Sequence, residues 1–126
     1  MFVGVLRLVL FLPDSGSLKS KRHLVRSAID RVRARFNVSI AEVAENDLWQ
    51  RCVIGVTAVG NEHAHVNEIL DKVAGLIASM HGGQIQVTSR DLVVEPWGDG
   101  PVDGVRSSVG AEDAPHWEPK AGDEDG

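Results

Sequence analysis

Between Met1 and Leu12 apolar residues fill both alternating sets of positions, with Phe2, Leu6, Leu8 and Leu10 on one side and Val3, Val5 and Val9 beside Arg7 on the other. A strand apolar on both faces predicts a central place in a sheet. Pro13-Asp14-Ser15-Gly16 interrupts it, and Ser17 is a suitable N-cap for a helix running to about Phe36. Leu18, Val25, Ile29, Val32 and Phe36 recur at helical spacing and form its buried stripe. Strand alternation resumes over 38–44 and again over 51–59, and the short Glu45–Gln50 joint predicts a hairpin between them. A second helix is expected from about Glu62 to Met80, carrying Val66, Ile69, Leu70, Val73 and Ile77 on one face, with Gly82-Gly83 as its stop. The last strand is expected over 84–95, closed by Pro96.

The order β-α-β-β-α-β, joined by right-handed crossovers, predicts an α+β, ferredoxin-like two-layer sandwich: one four-stranded antiparallel sheet with both helices on one face. A chain of 126 residues suffices for one such domain. Charge divides the chain further. Residues 1–96 hold eleven Lys/Arg against ten Asp/Glu, whereas 97–126 hold two against eight and are rich in Gly and Pro. The expected organisation is therefore a folded domain over 1–96 and an acidic, disordered tail over 97–126. No apolar run approaches the ~20 residues that span a bilayer, and the first twelve residues read as a strand rather than a leader, so a cytoplasmic protein without membrane contact is expected. The single Cys52 alternates with Ile54 and Val56 and reads as a buried small hydrophobe.

The distinctive chemistry is the run Ser17-Leu18-Lys19-Ser20-Lys21-Arg22. Cations at a helix N-terminus oppose the helix dipole unless an anion lies nearby, and the free N–H groups there suit phosphate or carboxylate. Lys19, Arg22, Arg26, Asp30 and Arg33 continue along one face, giving Ser17, Lys19, Ser20, Lys21, Arg22, Arg26 and Arg33 as the candidate RNA- or anion-binding set. A merely solvated face and a small-anion site are the competing readings. On this view replacing Lys19, Lys21 and Arg22 by Ala leaves the fold as stable as before, or slightly more so. The valines on the outer side of the first strand need a cover, and a homodimer is the simplest. The strand over 51–59 has no aromatic residue for base stacking, so RNA contact is expected from the helix. Trp49 is expected to pack as a lid over the core edge, with a stacking platform as the alternative. Glu42 could pair with Arg51 across the hairpin. His63 and His65, two apart on a helix, do not share a face, and no metal or cofactor is expected. Catalytic templates are missing as well: the sequence has no phosphate-binding loop, dinucleotide fingerprint or nucleophile elbow, and no catalytic residue is assigned.

Phe2-Val3-Gly4-Val5, the Ser17–Arg22 run, Glu42-Val43 followed by Leu48-Trp49-Gln50-Arg51, and the final strand together resemble the YlxP-like family of small bacterial proteins, domain of unknown function 503. The resemblance covers about residues 1–96. It implies a ferredoxin-like fold and a gene often near those for translation initiation factors and ribosome-binding factor A, which makes ribosomal RNA or a ribosomal particle the expected partner. It transfers no activity, and a non-enzymatic, RNA- or ribosome-associated protein is expected.

Overall fold

The computed structural model describes residues 1–98; the acidic segment lies outside them apart from Trp97 and Gly98. The elements follow the expected order: β1 (Phe2–Phe11), α1 (Leu18–Arg35), β2 (Ser39–Ala44), β3 (Arg51–Gly60), α2 (His63–Ser79), a 3-10 turn (Met80–Gly83) and β4 (Gln86–Pro96). The four strands form one sheet in the order β2-β3-β1-β4, every neighbour antiparallel. This is the ferredoxin-like α+β sandwich.

Leu6, Leu8, Leu10 and Leu12 lie under the helices with Val56, Ile54 and Cys52 of β3, and all are essentially sealed from solvent. They meet Val25, Ala28 and Val32 of α1 and Val66, Leu70, Val73 and Ile77 of α2. Burial of this aliphatic set, at about 25 cal/mol per Å² of apolar surface, is the main drive for the two-layer packing. Gly4 sets the approach of α2. A Cβ there would stand 2.5 Å from Leu70 Cδ1 and 2.6 Å from Val66 Cγ1.

Two departures from the sequence reading have clear causes. The chain leaves α2 through His81 and Gly82, both left-handed with φ of 57°, so β4 starts at Gln86 rather than Gln84. The buried stripe of α1 is Lys21, Val25, Ala28 and Val32, while Leu18, Ile29 and Phe36 are only half-buried. A lysine thus occupies a core position.

On the uncovered face of the sheet Val5, Val43, Val59 and Val93 are exposed and Val3 and Val9 half-buried, with an Arg7–Asp91 ion pair at 3.7 Å between β1 and β4.

Candidate nucleic-acid interface

One end of the sandwich collects the start of α1, the β2–β3 hairpin and the 3-10 turn. Ser17 adopts extended backbone angles, and its Oγ accepts the Ser20 N–H at 3.1 Å. Ser15 donates to the Ser17 carbonyl at 3.2 Å, fixing the turn before the cap. Ser17 and Ser20 therefore serve the helix start itself, which satisfies one of its four free donors.

Lys21 departs from the candidate set. Its ammonium is fully buried, donates to the Glu45 carbonyl at 2.6 Å and lies 2.8 Å from Glu42 Oε2. Glu42 Oε2 has no other well-directed hydrogen-bond donor, so the Lys21 charge is what holds it. The sequence pattern places Lys21 on a phosphate, but a side chain turned into the core and neutralised there has neither the exposure nor the free charge for it. Glu42 accordingly pairs with Lys21 and not with Arg51, which instead meets Glu45 Oε2 at 3.1 Å. The signal for this was present: Lys21 completes the 3-4-3-4 spacing 18, 21, 25, 28, 32 of the buried stripe.

Beside this pair sits Cys52, fully buried on β3. Burial pushes its thiol up from 9.0 to about 12, and the Glu42 carboxylate adds to the effect. An inert thiol results.

The remaining cations stay outside. Lys19, Arg22 and Arg26 are exposed and, with His23, line an open depression of about 420 Å³. Arg22, Arg26 and Arg33 continue into a groove of about 310 Å³ between α1 and β2, lined also by Val25, Ile29 and Ala41 and by the carboxylates Asp30 and Glu42. Arg33 also donates to the Ile40 carbonyl at 3.1 Å, on the edge strand of the sheet. Among the described residues, none of Lys19, Arg22, Arg26, Arg31, Arg33 and Arg35 lies within ion-pair distance of a carboxylate. Arg90, on β4, is bound to Asp71 of α2 and does not extend this patch. A further cavity of about 540 Å³ opens at the helix start, lined by Ser17, Lys19, Ser20, His23, His81 and Gln84 among others.

Trp49 is not a lid: it stands 54 % exposed at the hairpin tip next to Leu48 and takes no part in the buried core. Among the described residues no cluster of three His, Cys, Asp or Glu side chains could hold a metal, and no helix is long and apolar enough to cross a membrane.

The uncharacterized protein YlxP of Bacillus subtilis (strain 168) is 39 % identical over 66 residues, which cover 52 % of this chain and 72 % of that protein. A C-terminal segment of the alpha subunit of aIF2 from Pyrococcus abyssi aligns in three dimensions with a TM-score of 0.42 and 13 % identity, over 76 % of this chain and 51 % of that one, about half its length. The family described as protein of unknown function (DUF503) matches residues 3–90. That match takes in every element from β1 into β4, the Ser17–Arg22 run and the Trp49 hairpin included, and the chain belongs to the DUF503 family.

Proposed function

We infer that the protein binds RNA through the exposed face of α1, with Lys19, Arg22 and Arg26 on phosphates, Arg33 flanking them, and ribosomal RNA as the source. The observation that carries this is the row of exposed α1 cations that have no carboxylate partner among the described residues. Cations left unpaired on one face attract a polyanion at a rate and affinity set by their local field, even on a chain whose net charge is −5. The gene neighbourhood implied by the family resemblance favours ribosomal RNA over other polyanions.

Co-sedimentation of the full chain with ribosomal particles at two salt concentrations tests the reading. Binding should fall with salt, with a log–log slope of about −0.7 for each phosphate neutralised on a single strand. Inorganic phosphate serves as the contrasting arm. If it saturates the cavity at the helix start and RNA does not bind, a small-anion site replaces this reading.

The exposed valines of the sheet favour a second reading, a weak homodimer through that face. Four strands about 4.8 Å apart, of ten, six, ten and eleven residues in chain order, present roughly 600 Å² a side, less than the ~800 Å² per partner of a standard interface. Association should therefore appear only well above micromolar concentration. Sedimentation that finds a monomer at every concentration, with that face bare, removes it.

A further inference from the structure

We propose that Trp49 is a stacking platform for an unpaired base, so that the ligand is single-stranded RNA held by its phosphates on α1 and by one base on the hairpin tip. This rests on the phosphate reading of α1 given above.

An indole left half in water contributes little to the fold, although an aromatic ring is among the most favourable side chains to bury. Trp49 and Leu48 are both exposed and, with Asp47, Gln50 and Arg51, line an open depression of about 400 Å³. The loop that presents them is tied down on several sides. Lys21 reaches from α1 to the Glu45 carbonyl at 2.6 Å, and the Glu45 carboxylate holds Arg51 at 3.1 Å. The Leu12 N–H donates to the Gln50 carbonyl and Gln50 Nε2 to the Pro13 carbonyl, both at 2.9 Å. The Leu48 N–H closes the turn onto the Glu45 carbonyl at 3.2 Å. Glu45 is thus the node through which one buried lysine fixes the tip to the second turn of α1.

That link sets the exposed indole at the same end of the sandwich as Lys19 and Arg22, which precede and follow Lys21 on α1 and are exposed to solvent. Cations that follow a backbone beside an aromatic face are the combination that single-stranded nucleic acid requires, because every base offers a π-face whatever its sequence. A duplex keeps its bases stacked on one another and cannot use the ring. Asp47, the carboxylate of the depression, disfavours a phosphate there and leaves the base as the part of the ligand that meets the tip. Trp97 provides an internal control. It is 68 % exposed but sits at the far end of β1, its N–H donating to the Met1 carbonyl.

The test uses the full chain carrying Trp97→Phe and Trp117→Phe, which leaves Trp49 as the sole indole. A short oligoadenylate should quench Trp49 fluorescence, whereas an abasic ribose-phosphate oligomer of equal length should bind without quenching. Trp49→Ala should weaken oligoadenylate binding by roughly five- to 150-fold, the range for one lost base stack, and leave the abasic oligomer and an RNA duplex unaffected. Trp49→Phe should restore most of the loss, and Trp97→Ala should change nothing. Lys19→Ala with Arg22→Ala should weaken all three ligands alike. A Trp49→Ala chain that binds oligoadenylate as the native one does overturns the stack, leaves the tip to a protein partner and does not touch the phosphate reading. A native chain that binds none of the three ligands overturns both.

Discussion

The two helices lie side by side on the same face of one sheet and treat their charges in opposite ways. α2 carries Glu68, Asp71 and Lys72, and all three have partners: Lys72 meets Glu68 at 3.9 Å, and Asp71 holds Arg90 and accepts from Asn67 at 3.2 Å. α1 carries seven cations and Asp30, and among the described residues Lys21 is the one of them in an ion pair. Net charge on a helix is therefore a poor guide until the paired members are subtracted. On α2 nothing remains. On α1 the subtraction removes Lys21, the second of the three cations in the sequence motif, and leaves Lys19 and Arg22 without a partner among the described residues.

The comparison breaks most visibly at Lys21. Lys21→Ala removes one partner of a buried pair and leaves Glu42 and the Glu45 carbonyl unanswered, which should cost about 3–5 kcal/mol in urea denaturation. The Lys21→Met, Glu42→Leu double variant should recover most of that loss, because no charge is then stranded. The triple replacement of Lys19, Lys21 and Arg22 should consequently destabilise the fold, contrary to the expectation from sequence, while Lys19→Ala with Arg22→Ala should not. Lys72→Ala on α2, an exposed pair, should cost under ~1 kcal/mol.

The free cations sharpen it next. Lys19→Ala, Arg22→Ala and Arg26→Ala combined should flatten the salt slope of RNA binding by about 2, some 0.7 for each phosphate no longer neutralised. Neutralising Lys72 of α2 should leave that slope where it is. A binding curve in which the two helices respond equally would erase the distinction between them.

Caps give a smaller contrast. Ser17 bonds the Ser20 N–H, whereas Glu62 at the start of α2 makes no side-chain cap bond. Ser17→Ala should therefore cost about 1 kcal/mol, and Glu62→Ser should gain a few tenths. Thermal melts resolve both.

The smallest effect at neutral pH comes from Cys52. Its folded thiol titrates at about 12 against 9.0 for the ordinary group, so between those values the native state holds a proton that the unfolded chain has released. Stability should be unaffected below pH 9 and fall as pH rises toward 12. Cys52→Ala should abolish that alkaline decline, measured by urea midpoints at about pH 8 and about pH 10.5, either side of the ordinary thiol value.

The architecture is legible in the sequence because it rests on periodicity. The leucines of β1, the stripe of α2 and the breaks at Pro13 and Gly82 specify elements and their order with little help from distant contacts. The site is less so. Residue type alone sends Lys21 to solvent, though its place in the 3-4-3-4 stripe argues for the core, and only its carboxylate partner on β2 makes such a burial tolerable. Residue type sends Trp49 to the core by the same reasoning in reverse. Neither position reveals its environment locally, because a hairpin tip and a buried cation are both decided by what the hairpin folds against.

β1 lies between β3 and β4, and its register pairs Phe2 with Pro96 and Phe11 with Gln86. The ribosome makes these partners in the wrong order for quick pairing. At ~5–20 residues per second, roughly 4–17 s separate the synthesis of Phe11 from that of Pro96. During that interval the first strand has an unpaired edge and four leucines awaiting cover, and the β2–β3 hairpin can supply a partner on one side only. Vectorial synthesis thus makes the last strand the one whose arrival completes the sheet, since the edge of β1 that β4 closes has no native partner before then.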